Sequence, residues 1–133
     1  MAIKSNGGDT STGPKILTGT YTFDVATYSH TWSANSINFT LGGVPGTFNW
    51  VDIAFEAYGA QYNGFKGTPV ITATIRSGSA LALVPRVSTS GSYSSNQGFR
   101  LALYNTGSDV TLNAGGSNIL VHWTAIENTN KAG

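Results

Sequence analysis

The sequence predicts an all-β fold, an antiparallel sandwich of short strands, and three observations predict it. Apolar side chains recur at every second position over several short stretches, the spacing that turns one face of a strand into a core. Clusters of Gly, Asn and Ser interrupt these stretches about every ten residues, which is the rhythm of turns in a sandwich. Only 10% of the 133 residues are charged, while Gly (17), Thr (17), Ser (14) and Asn (11) are abundant; this composition favours turns and strands over helices.

Residues 1–14 end in Gly7-Gly8-Asp9-Thr10-Ser11-Thr12-Gly13-Pro14 and read as a flexible arm that orders against a partner. The sandwich domain spans 15–128, and 129–133 form a tail. From Lys15 the period becomes two, with Leu17, Tyr21, Phe23 and Val25 alternating with Thr18, Thr20, Thr22 and Asp24. Ile37, Phe39 and Leu41 follow, and Gly42-Gly43-Val44-Pro45-Gly46 stops that strand. Phe48 to Tyr58 reads as a strand with Val51, Ile53, Phe55 and Ala57 on one parity and Trp50, Asp52, Ala54 and Glu56 on the other; Asp52–Tyr58 alone also fits two helical turns. Thr68-Pro69 opens a strand over Val70–Arg76. Leu81, Leu83 and Val84 precede Pro85, which marks an edge or an end. After the polar loop Gly91–Gly98, Phe99, Leu101 and Leu103 alternate with Arg100, Ala102 and Tyr104. Asn113-Ala114-Gly115-Gly116 then turns the chain into a last strand with Ile119, Val121, Trp123 and Ala125 on one side and Leu120, His122, Thr124 and Ile126 on the other.

That last strand is largely apolar on both parities, whereas a two-layer sandwich wets one face of each sheet. The second apolar face calls for a partner, so the expectation is an oligomer. The absence of cysteine points the same way, because a 13.9 kDa chain without disulfides gains stability most simply by association. Ile119, Val121, Trp123 and Ile126 are the residues expected in core or subunit packing.

Chemistry is sparse. Asp52 and Glu56 are the nearest carboxylates, but four residues along a strand separate them by about 13 Å, beyond the glycosidase range. His30 and His122 lack the companions of a metal site and read as strand-face side chains with satisfied hydrogen bonds. Neither a nucleophile elbow nor a phosphate cradle is present, and Asn38-Phe39-Thr40, a glycosylation sequon, falls in a strand. The expectation is a non-enzymatic protein without cofactor or metal. A net charge of +1 with scattered Lys and Arg argues against nucleic acid, and no apolar run is long enough to span a bilayer or to serve as a signal peptide. What remains is a surface of Tyr28, Trp32, Trp50, Tyr58, Tyr62, Tyr93 and Tyr104 among neutral amides and hydroxyls, the groups that stack on and bond to sugars. Tyr93, Asn96, Tyr104 and Asn105 are the candidate contacts to a receptor or glycan.

The stretches Leu81-Ala82-Leu83-Val84-Pro85-Arg86-Val87-Ser88, Gly98-Phe99-Arg100-Leu101-Ala102-Leu103-Tyr104 and Ile119-Leu120-Val121-His122-Trp123-Thr124-Ala125-Ile126-Glu127-Asn128 resemble the H-type lectin pattern, as does Phe65-Lys66-Gly67-Thr68-Pro69-Val70. The resemblance covers about residues 65–128, and Trp123-Thr124-Ala125-Ile126 is its most specific part. It implies an antiparallel β-sandwich that trimerises about a three-fold axis, as in invertebrate agglutinins and the C-terminal knobs of bacteriophage tail fibres. Ala82 stands where the agglutinins have a sugar-binding Arg, and Thr106-Gly107 stands where they have a Trp-His pair, so no sugar-binding residue carries over. The functional expectation is a bacteriophage virion protein: a homotrimeric knob of a tail or head fibre, bound to other virion proteins through its arm and touching the host surface. A capsid decoration or adaptor protein and a free soluble lectin are the alternatives.

Overall fold

The computed structural model describes residues 15–59, 64–77, 82–116 and 118–128. The expected arm, the tail, Tyr62 and Leu81 lie outside these residues. Among the described residues ten strands run in chain order: β1 (Ile16–Phe23), β2 (His30–Trp32), β3 (Phe39–Leu41), β4 (Val44–Phe48), β5 (Val51–Ala54), β6 (Val70–Ser77), β7 (Leu83–Ser88), β8 (Gly98–Asn105), β9 (Val110–Leu112) and β10 (Ile119–Ile126). A single 3₁₀ turn, Phe55–Tyr58, follows β5.

These strands form three antiparallel sheets, ordered β1-β10-β6, β4-β3-β2-β9 and β5-β8-β7. The second and third are linked by a bridge between Ser36 and Asn105. The first packs its inner face on both. Phe23 of β1 meets Trp32 and Phe39 at ring separations of 6.4 and 6.3 Å, and Trp123 of β10 meets Phe99 at 5.0 Å and Phe55 at 6.0 Å. Three of these contacts are edge-to-face and the Trp123–Phe55 pair is tilted, and such contacts add to the burial of the rings themselves. The result is an all-β, two-layer arrangement consistent with a sandwich.

Alternation places the core as the period-two reading expects. On β10, Ile119, Val121, Trp123 and Ala125 are fully buried, opposite Phe23, Tyr21, Gly19 and Leu17 on β1. Gly19 is required there by space: a Cβ would stand 2.5 Å from Cζ2 of Trp123. The β1–β10 ladder closes with Glu127 N–H donating to the Lys15 carbonyl at 2.9 Å, and Lys15 N–H reaches Glu127 Oε1 at 3.2 Å.

Two stretches depart from the sequence reading. Phe48–Tyr58 is not one strand: the β5–β8 ladder ends at Ala54 opposite Gly98, and the chain then enters the 3₁₀ turn. Its cause is the burial of Phe55, whose N–H donates to the Gln97 carbonyl at 2.9 Å while its ring contacts Phe65, Phe99 and Trp123. The Gly42–Gly46 signal is likewise only half a turn. Gly42-Gly43 make a two-residue hairpin, with Gly43 at φ 80°, and Val44 already pairs with Leu41. Pro45 and Gly46 are tolerated because β4 is an edge strand, as Pro85 is on edge strand β7.

Candidate functional site

Two outward sheet faces carry the notable surface chemistry. In β8, Phe99, Leu101 and Leu103 are buried in the core, so the pleat sends Arg100, Ala102 and Tyr104 outward. Register brings Asp52 of β5 opposite Arg100, and Val84 and Arg86 of β7 opposite Tyr104 and Ala102. Arg100 Nε donates to Asp52 Oδ1 at 3.0 Å, and its guanidinium carbon lies 3.9 Å from the ring centroid of Trp50, an exposed side chain. Arg86 repeats the stack over Tyr104 at 4.0 Å. Two planar cations held against two aromatic rings leave N–H edges and ring faces side by side. That combination suits hydroxyl-bearing ligands.

Asp52 also accepts the Ser92 hydroxyl at 3.1 Å. Its carboxyl is held below the usual carboxylate range, chiefly by the Arg100 hydrogen bond and also by that from Ser92, against the opposing effect of desolvation. An ionised, ion-paired Asp52 is an acceptor and an anchor for Arg100; it is unsuited to giving up a proton near neutral pH.

The loop from Thr89 to Gln97 borders this face and is internally braced. Ser90, a buried hydroxyl, accepts the N–H groups of Ser92 at 2.9 Å and Tyr93 at 3.1 Å. Asn96 Nδ2 donates to the Phe65 carbonyl at 3.1 Å, and its own carbonyl accepts Phe65 N–H at 2.8 Å. Tyr93 lies over Gly98, where a Cβ would come within 2.8 Å of the ring, and remains 38% exposed.

Of the four expected contact residues, Tyr93 and Tyr104 thus adjoin one outward face. Asn96 is half-buried and used in bracing the loop. Asn105 is a correction: it is fully buried. Its Nδ2 faces the carbonyls of Trp32, Ser33 and Ser108 at 3.4, 3.1 and 2.8 Å, and its Oδ1 accepts Gly107 N–H at 3.0 Å. An amide committed to four backbone groups is a strut between sheets, unavailable to a ligand. Trp32 is likewise core and not surface, and Tyr58 packs edge-on to Trp123 at 5.0 Å. Trp50, Asp52, Arg100 and Arg86 were not grouped by sequence reasoning. Their parity, opposite to Ile53, Phe99 and Leu101, was the available signal; the β5–β8–β7 register that joins them was not.

The second face is the outside of β1-β10-β6. Ile119, Val121 and Trp123 are in the core beneath it, whereas Ile126 is 38% exposed upon it. Cross-strand rows read Ile16–Ile126–Val70, Thr18–Thr124–Thr72 and Thr20–His122–Thr74. None of these nine residues is Asp, Glu, Lys or Arg. Ile16 and Val70 are 53% and 54% exposed, so one end of the face is an apolar row, followed by threonine hydroxyls around His122 and by exposed Arg76 next along β6.

Compared with known proteins, the chain matches no protein family, no curated protein and no solved structure. Among the described residues no helix is long and apolar enough to cross a membrane, and no three His, Cys, Asp or Glu gather as metal ligands.

Proposed function

We propose that the protein is a non-enzymatic structural subunit of a bacteriophage particle, a trimeric β-sandwich knob of a tail or head fibre that takes part in attachment to the host surface. The observation that carries this reading is the outer face of β1-β10-β6, where nine adjacent positions lack a full charge and Ile16, Ile126 and Val70 form an exposed apolar row. Burying these nine positions against copies of the chain gains apolar area without desolvating a formal charge, provided Arg76, next along β6 on the same side, stays at the rim. The count of three and the phage setting rest on the H-type lectin resemblance of residues 65–128. The Trp50–Arg100 and Arg86–Tyr104 stacks supply a separate face for host-surface hydroxyls, and the ion-paired state of Asp52 supports a role without catalysis.

Native mass spectrometry of the full chain tests the assembly. Three copies of the 13.9 kDa chain are expected, and Thr124→Arg, which places a charge at the centre of the face, is expected to yield a folded monomer. A stable wild-type monomer overturns the trimer. Adsorption of particles lacking the protein tests the role: reduced adsorption supports the knob, whereas normal adsorption with fragile heads replaces it by capsid decoration.

A further inference from the structure

A cleft of about 300 Å³ opens between the end of β1 and the β2-β3-β4 part of the second sheet. Its walls are Tyr21, Phe23, Tyr28, Phe39, Phe48 and Trp50, closed by Leu41 and Val51. Four of these rings are in mutual contact: Tyr21 meets Phe23 at 5.0 Å, Phe23 meets Phe39 at 6.3 Å and Phe39 meets Phe48 at 5.8 Å. Tyr28 and Trp50 are 41% and 43% exposed.

The polar lining is as informative as the rings. It consists of Thr22, Asp24 and His30, with no Lys or Arg. Asp24 accepts Thr27 N–H at 2.9 Å, and the Thr27 hydrogen bonds hold its carboxyl below the usual range, so it is anionic at neutral pH. His30 faces Trp32 and Phe39 at ring separations of 5.4 Å each and donates through Nδ1 to the Tyr28 carbonyl at 3.1 Å when that nitrogen carries the proton. Burial lowers its pKa, so the imidazole stays neutral and does not oppose a cation. The nearby Arg100 is ion-paired with Asp52 and stacked on Trp50, which shows that this ring already receives a cation from the neighbouring face.

We propose that this cleft binds a small soluble organic cation of the alkylammonium class, its methylated nitrogen set against the aromatic walls and its charge balanced by Asp24. Aromatic faces present negative quadrupole potential, and alkylammonium groups shed water more readily than a bare ammonium, so rings plus one carboxylate complement them in both shape and sign. Neutral sugars are the less favoured occupant because eight of the eleven lining side chains are aromatic or aliphatic.

Titration of the ¹⁵N-labelled full chain with tetramethylammonium and with choline tests it. Saturable amide shifts confined to residues 21–30 and 48–51 are expected, weakened about 3–30-fold by Asp24→Asn, which keeps an oxygen to accept the Thr27 N–H, and similarly by Tyr28→Ala. The uncharged isostere 3,3-dimethylbutanol is expected to bind more weakly by a similar factor. Equal binding of that isostere overturns charge recognition, and absence of saturable shifts with either cation overturns the site. Binding to phosphatidylcholine vesicles without binding of free choline also overturns it, since the ligand is then a lipid surface. Glucose shifting the same amides more strongly than choline reassigns the cleft to sugars.

Discussion

Gly19 lies directly opposite Trp123 across the β1–β10 ladder, and the indole fills the space that any side chain at Gly19 would need. Its backbone does not demand glycine through a left-handed φ; the demand is purely steric. Gly19→Ala is therefore expected to destabilise the fold by about 1–3 kcal/mol through overpacking, despite removing chain entropy from the unfolded state. Urea unfolding followed by tryptophan emission measures it, and an unchanged or raised midpoint would refute the close approach.

Trp123 has the converse sensitivity. Its ring is shared by Phe55, Tyr58 and Phe99, so Trp123→Ala opens a cavity between β10 and the 3₁₀ turn. A loss of about 3–5 kcal/mol is expected, and with it loss of the proposed trimer. Calorimetry and native mass spectrometry on the same sample would show both effects; an unshifted melting temperature contradicts the packing.

Asn105 and Tyr93 separate a strut from a contact. Asn105→Leu strips the carbonyls of Trp32, Ser33 and Ser108 of a shared donor and is expected to cost about 1–3 kcal/mol. Tyr93→Ala, at an exposed loop position, is expected to shift stability by about 0.5 kcal/mol or less. Comparison of the two denaturation midpoints decides the matter; equal losses would place Tyr93 in the fold's framework.

Acid should weaken the fold in two steps. Burial depresses the His30 pKa below its ordinary 6.5, so the unfolded chain takes up a proton there before the folded one does. Stability from this group is complete above pH 6.5 and falls as pH drops through the folded value. Asp52, depressed by Arg100, adds a second loss below its ordinary 3.8. In denaturation midpoints recorded from pH 7.5 down to 3, His30→Phe should flatten the first decline and Asp52→Asn the second. A wild-type midpoint that rises on acidification to pH 5 would contradict the His30 contribution.

The strongest period-two signals were legible because each strand's own alternation decides which parity is buried. Phe99 to Leu103 needed no knowledge of neighbours, whereas β10, largely apolar on both parities, needed the sheet to show which side is buried. The short strands β2 and β9 were not legible: three residues give too little alternation, and their pairing through His30–Leu112 and Trp32–Val110 is set by distant partners. Phe55 shows tertiary packing overriding pattern, since its parity suited a strand while its burial demanded a turn. At the surface, the aromatic residues could be counted but not sorted. Trp32, flanked by Thr31 and Ser33, is buried, whereas Trp50, flanked by Asn49 and Val51, is exposed beside Arg100, so the polarity of immediate neighbours does not sort them.

The closure of β1 on β10 fixes how the molecule responds to force. Lys15 and Glu127 are hydrogen-bonded to one another, so the described chain enters and leaves the sandwich at a single pole. Tension drawing those two ends apart opens the ladder rung by rung, starting at Ile16 and Ile126. Tension between one end and the opposite pole instead loads all the rungs at once, in shear.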